Sequence, residues 1–213
     1  DLRAIAGLYT ETCQLVVRAD SNIQTLDDLS GHTVSIGAEE SGTERNATQI
    51  LEFAGMPSSL VATKNLDYIE ATKELKAGDI DAFFCTAGLT TTVIDELSKE
   101  CDIRLIPLTD TVISKMLESS LAYTSEVIPA GTYTGQTTDI NTIGVKSVLI
   151  TKADVSDDTI EQLTSLLFEK ENEISYSNSL KLELTYDFAT DDIPIPFHDG
   201  AKRYYKACGY STN

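Results

Sequence analysis

The residues with the clearest chemical potential lie in Thr33-Val34-Ser35-Ile36-Gly37-Ala38-Glu39-Glu40-Ser41-Gly42-Thr43-Glu44-Arg45-Asn46-Ala47. Ser41 and Thr43 bring hydroxyls, Arg45 brings a cation that is expected to face solvent, and Gly42 lets a ligand approach the backbone closely. Ser41-x-x-Glu44 has the spacing of a capping box, so a helix should begin at this turn. A helix start carries unpaired N–H groups and the positive end of the helix dipole, which suits a carboxylate or a phosphate. The hydroxyls of Ser41 and Thr43 and the N–H groups of the turn are expected to converge on one such anion. Glu39, Glu40 and Glu44 oppose it unless they point away. A plain cap is the competing reading, because a serine at a helix start most often serves only its own helix.

The elements that must position this turn can be read around it. Thr33 to Ile36 is a β pattern ended by Gly37. Ala47, Ile50, Leu51 and Ala54 give the following helix one apolar face, and Gly55-Met56-Pro57 stops it. Asp67-x-x-Glu70 is a second capping box, with Tyr68, Ala71, Thr72 and Leu75 on one helical face and Gly78 as its stop. Ile80 to Cys85 is almost continuously apolar, as in a buried parallel strand, and ends in Thr86-Ala87-Gly88. Val93, Ile94 and Leu97 mark another helix, and Ile103 to Ile106 another strand. This alternation from 33 to 106 predicts a parallel sheet with covering helices, whose ligands sit beyond the carboxyl ends of the strands. Two loops occupy that position, Gly37–Thr43 and Thr86–Thr92.

The flanking chain is less regular. Residues 2–9 and Cys13–Arg18 read as two strands, Thr25–Gly31 as a single helical turn, and Leu60–Thr63 as a short strand. Val112, Ile113, Met116 and Leu117 suggest a helix. Ile128 to Gln136 is punctuated by glycine and is not helical; it is expected to present Tyr133 near the ligand rather than in the core, with a tyrosine that packs the crossover as the competing reading. Ile143–Thr151 is a long strand. Ser156-Asp157-Asp158 should cap a helix bearing Ile160, Leu163, Leu166 and Leu167. A polar stretch without clear periodicity runs to Asp192. Ala201, Tyr204, Tyr205 and Cys208 form a short amphipathic helix.

Composition narrows the function classes. The chain has 213 residues, with 34 acidic and 16 basic side chains and a net charge of −18. That excess of negative charge argues against nucleic acid and anionic membrane surfaces as partners. No apolar run reaches membrane-spanning length, so no direct membrane insertion is expected, and no signal segment is read within the chain. Cys13, Cys85, Cys101 and Cys208 match no zinc spacing, and His32 and His198 are isolated, so no metal and no cofactor are expected. No nucleophile, base and orienting group form a set, which speaks against catalysis.

Five motifs carry a resemblance. They are Leu2-Arg3-Ala4-Ile5-Ala6-Gly7-Leu8-Tyr9, Ser41-Gly42-Thr43-Glu44 with Asn46-Ala47, Gly78-x-Ile80-Asp81-Ala82-Phe83-Phe84-x-Thr86-Ala87-Gly88, Ile128-Pro129-Ala130-Gly131-Thr132-Tyr133-x-Gly135-Gln136, and Ala201-x-Arg203-Tyr204-Tyr205. In this order they resemble the TAXI family of TRAP-transporter solute receptors. The resemblance implies an α/β fold of the type II periplasmic binding protein kind, two α/β lobes joined by hinge strands. It implies a periplasmic or otherwise extracytoplasmic solute-binding protein without catalysis. The ligand would be a small carboxylate, a glutamate-like amino acid or a dicarboxylate, passed to the membrane subunits of a TRAP transporter. The ligand-binding residues would be Ser41, Gly42, Thr43, Thr86, Ala87, Gly88 and Tyr133. Residues 19–142 would form the second lobe. Residues 1–18 and 143–213 would supply the hinge strands and the remainder of a first lobe that is incomplete, since such receptors begin with a further strand, glycine-rich loop and helix. The alternative function is a ligand-sensing domain of a regulator or receptor with the same fold.

Overall fold

The computed structural model describes residues 1–171, 173, 174 and 182–212. Its internal contacts divide the chain into a larger unit, Glu11–Val145, and a smaller one, Asp1–Thr10 with Lys146–Asn213. Two strands contribute to both, β1 (Leu2–Arg18) and β7 (Ile140–Lys152). They contain the expected hinge stretches Cys13–Arg18 and Ile143–Thr151. β1 is one strand where two were expected. Its polar middle stays in the ladder because Glu11 and Thr12 pair with Gly88 and Ala87.

The larger unit alternates strand and helix: β2 (Thr33–Ser35), α1 (Gly42–Phe53), β3 (Ala62–Lys64), α2 (Tyr68–Ala77), β4 (Ala82–Gly88), α3 (Thr92–Glu100), β5 (Ile103–Leu105), α4 (Asp110–Ser119) and β6 (Tyr123–Ile128). The strand order is β3-β2-β4-β1-β7-β6, with β5 also on β1. β2 is parallel to β3 and β4, as the alternation predicted. The sheet as a whole is mixed, not parallel. β1 inserts between β4 and β5 and is antiparallel to both. Its two apolar faces explain the central place, since Leu15 and Val17 enter one core layer and Val16 the other. β6 was not foreseen; its short, polar sequence is held by antiparallel pairing with β7. Buried Phe84, Ile50, Met116 and Leu29 fill one layer, and Phe83, Leu75, Ile94 and Ile80 the other. Cys13 and Cys85 are free thiols in different layers, and burial pushes each up to about 12.

The smaller unit includes the helices α5 (Asp157–Glu169), α6 (Tyr186–Thr190) and α7 (Asp199–Ala207). Their core joins Ile5, Ile160, Phe197 and Tyr205. The Tyr205 hydroxyl donates to the Ile5 carbonyl at 2.9 Å. Phe168 stacks on Tyr186 at 4.7 Å between centroids. Ser156 stands at the start of α5 but makes no capping bond, in contrast to the expectation; Asp157 and Asp158 in the first turn complement the dipole instead. α6 lies in the stretch read as aperiodic, being too short to show a period, and begins with Thr185 accepting from the Phe188 N–H. Residues 172 and 175–181 of that stretch lie outside the described residues. Among the described residues no helix is long and apolar enough to cross a membrane, and no group of acidic, His and Cys side chains is arranged to hold a metal ion.

Candidate functional site

β2 and β4 run parallel, so the loops after them emerge at the same end of the sheet. The first loop turns into α1. Ser41 is extended (φ −78°, ψ 161°), and its Oγ accepts from the Glu44 N–H at 3.1 Å, which starts the helix. Glu44 does not close the box onto Ser41. Its Oε2 accepts from the Glu40 N–H at 2.6 Å and its Oε1 from Asn65 Nδ2 at 2.7 Å. Both oxygens are thus held by donors at its own side of the turn. Within the described protein the N–H groups of Gly42 and Thr43 have no partner. They are the orphan donors any helix start leaves.

Gly37 sets the entry to this turn. It has φ +98°, and a Cβ there would lie 2.8 Å from both Cβ and Cγ2 of Thr43. The loop therefore packs its backbone on the methyl side of Thr43, which leaves Oγ1 toward Tyr68, 2.6 Å from the phenolic oxygen. Tyr68 opens α2 and also binds β4: its hydroxyl donates to the Thr86 carbonyl at 2.9 Å and accepts from the Thr86 N–H at 3.3 Å. Asn46, one turn into α1, donates from Nδ2 to Thr86 Oγ1 at 3.4 Å. Its Oδ1 accepts from the Tyr123 hydroxyl at 3.0 Å. α1, α2, β4 and β6 are thereby joined through polar side chains. Thr43, Asn46 and Thr86 are 4, 6 and 7% exposed. Burial raises the pKa of both Tyr68 and Tyr123, so each keeps its proton near neutrality; the Arg45 charge weakly opposes this at Tyr123.

These groups border a cavity of about 760 Å³, of the size that holds a small organic ligand. Ser41, Gly42, Thr43 and Arg45 form one side, Thr86 and Ala87 adjoin Tyr68, and Tyr123 with Ser119, Ser120 and Ala122 lies along another. Arg45 has no ion pair among the described residues. Glu11 and Glu40 also border the space, so its charged lining has both signs.

Of the seven residues expected to bind ligand, five line this cavity: Ser41, Gly42, Thr43, Thr86 and Ala87. Gly88 is the next residue of β4, where its carbonyl accepts from Thr91 Oγ1 at 3.0 Å. Tyr133 is not among the residues around this cavity, and it lies in the core, where a presented side chain was expected. It is 3% exposed, within the core layer of Phe83 and Leu75. Its hydroxyl donates to Gln14 Oε1 at 2.6 Å and accepts from the Thr91 N–H at 3.1 Å, while Gln14 Nε2 donates to Thr91 Oγ1 at 2.8 Å. That closed ring fastens the loop after β4 to β1. Tyr133→Phe should therefore lower stability by about 1–3 kcal/mol, because it strands buried polar partners. Chemical denaturation measures this, and ligand titration should show affinity within threefold of wild type.

The site also contains residues that sequence reasoning did not assign to it. Tyr68 opens a helix after a strand of the same sheet, so its place at this end was available from the alternation. Asn46 and Gln49 lie on the face of α1 beside its apolar stripe. Tyr123 depends on β6, for which the sequence carried little signal.

The sequence matches the model of the NMT1-like family over residues 1–209. Among solved structures, Tv2483 bound to L-arginine is similar with a TM-score of 0.50 and 18% identity, over 86% of this chain and 61% of that one. The periplasmic aliphatic sulphonate binding protein SsuA from Escherichia coli gives 0.47 and 15%, over 84% and 55%. A mutant of ArgBP from T. maritima gives 0.46 and 18%, over 83% and 58%. The chain thus spans between 55 and 61% of the length of these proteins. At such identities the likeness is one of fold, the α/β fold of type II periplasmic binding proteins.

Proposed function

This chain belongs to the NMT1-like family, and from that premise we propose that it captures a small carboxylate, a glutamate-like amino acid or a dicarboxylate, without transforming it. The reading makes it part of an extracytoplasmic solute-binding protein. The resemblance of its motifs to TAXI receptors supports delivery to the membrane subunits of a TRAP transporter. The observation that carries the reading is the start of α1. Two unpartnered N–H groups, of Gly42 and Thr43, and the proton of Ser41 border one cavity with the unpaired Arg45. Hydrogen bonds to a charged group contribute roughly 1.5–3 kcal/mol each, so three donors suffice for useful affinity. Glu11 and Glu40 on the same cavity favour an acid that also carries a positive group over a plain dianion.

The backbone donor can be removed without breaking the helix. Gly42 is the first helical residue, a Cβ there meets nothing within 4 Å, and Ser41 before it already has the extended backbone that proline requires. Gly42→Pro deletes one N–H from the anchor. It should weaken binding about tenfold or more, since about 1.4 kcal/mol is a factor of ten, with an unchanged or slightly higher melting temperature. Native mass spectrometry of the protein purified without refolding identifies the acid, and calorimetry compares the two forms. Wild-type affinity in Gly42→Pro would remove the start of α1 as the anchor.

A further inference from the structure

Taken together as hydrogen bonds, the three contacts of the Tyr68 hydroxyl allow one direction. The Thr86 carbonyl can only accept, so the Tyr68 proton lies on that 2.9 Å bond. The Thr86 N–H can only donate, so it occupies a lone pair of the Tyr68 oxygen at 3.3 Å. At 2.6 Å from the same oxygen, Thr43 Oγ1 must then be the donor, and its single proton is spent. Thr43 is left with acceptor lone pairs alone. Ser41 is the opposite case: its Oγ accepts from the Glu44 N–H and keeps its proton to give. The two hydroxyls of the turn, expected to act together on one anion, therefore differ in polarity.

We infer that Tyr68 is a positioning residue that determines specificity: by fixing Thr43 Oγ1 as an acceptor, it selects acids that carry an N–H or O–H donor on the atom beside the carboxylate. The inference rests on the carboxylate reading of the cavity. A carboxylate that takes the Gly42 and Thr43 N–H groups lies against Oγ1 of that same Thr43. A carbonyl oxygen next to the carboxylate would bring lone pair against lone pair there, and a bare methylene would leave a nearly buried acceptor unpaired. An ammonium or hydroxyl in that place completes the bond. The class is thus 2-amino and 2-hydroxy acids, in preference to 2-oxo acids and plain dicarboxylates. Sites built around one hydrogen bond of this kind discriminate strongly against analogues that lack it.

The test uses probe pairs equal in charge and differing only in that donor: 2-hydroxyglutarate with 2-oxoglutarate, and lactate with pyruvate. Calorimetry on the wild-type protein should give at least tenfold tighter binding of the hydroxy acid in whichever pair fits the cavity. Tyr68→Phe releases the Thr43 proton, so the preference should fall to about twofold or reverse. Thr43→Val, which leaves the Tyr68–Thr86 bonds in place, should also erase it. A tyrosine that only braced the fold would weaken both members of a pair together, and an unchanged ratio in Tyr68→Phe overturns the inference. So does a wild-type protein that prefers the oxo acid. If neither these acids nor L-glutamate binds the wild-type protein at millimolar concentration, the carboxylate reading itself fails and the inference with it.

Discussion

Gly37→Ala is expected to weaken ligand binding at least tenfold and to cost about 2 kcal/mol or more of stability, a larger functional effect than any single side-chain deletion in the cavity. Two separate causes add. The residue sits at φ +98°, where an L side chain is disfavoured by roughly 1–2 kcal/mol. The new methyl would also stand 2.8 Å from Thr43 Cβ and Cγ2, and Cβ belongs to the frame of α1, so it cannot swing aside. Overpacking of this kind costs about 1–3 kcal/mol. Relief comes by pushing the first turn of α1 away from the loop. That movement displaces the Gly42 and Thr43 N–H groups from the cavity and lengthens the 2.6 Å bond from Thr43 to Tyr68. A displacement of one ångström suffices to forfeit directional hydrogen bonds to a carboxylate. Calorimetry and thermal unfolding of the same sample measure both effects. Near wild-type affinity would mean that Gly37 does not set the position of the turn.

The strand–loop–helix around Ser41 was legible because its signals are local. Gly37, Ser41 and the apolar spacing of α1 each act within a few residues, and helix α1 begins and packs as they dictate. Parallel pairing of β2 and β4 was legible for the same reason, since alternation with short connections forces it. β1 was not. Its place between β4 and β5 depends on partners some 70 to 90 positions away, such as Cys13 with Thr86 and Val16 with Leu105. No local pattern encodes such a distance. Tyr133 shows the limit for the site. A tyrosine between glycines looks like a presented side chain, and only the positions of Gln14 and Thr91 show that its hydroxyl turns inward. The direction of the Thr43 hydrogen bond was out of reach as well, because it follows from counting protons on Tyr68, a residue that the sequence placed only on one helical face with Ala71, Thr72 and Leu75. Local chemistry was thus readable where neighbours in the chain decide it, and unreadable where three distant elements meet at one hydroxyl.

Gly200→Ala should lower the melting temperature by roughly 6–12 °C, the change that about 3 kcal/mol produces in a chain of this size. Gly200 is the second residue of α7, and its N–H is held by His198 Nδ1 at 3.1 Å. A Cβ on it would collide with the Asp157 carbonyl oxygen and lie 3.0 Å from the Asp157 carbonyl carbon and 3.0 Å from the Glu161 N. All three are backbone atoms of α5, so no side-chain rotation can relieve the clash. Alanine is the better helix former by about 1 kcal/mol, yet that gain is smaller than the cost. The first turns of α5 and α7 must separate by about an ångström to restore ordinary contact distances. Separation loosens the layer in which Ile160 of α5 meets Phe197 and Tyr205, all nearly inaccessible to solvent. It also strains the bond from Tyr205 to the Ile5 carbonyl. Hydrogen exchange should locate the loss: amides of α5 and α7 exchange faster, while those of β2 and β4 keep their protection. Gly42→Ala is the control, because a methyl there meets nothing within 4 Å and should leave the melting temperature within about 2 °C, the scale of a few tenths of a kcal/mol. A Gly200→Ala protein that melts with the wild type would show that the two helices are not locked by this contact.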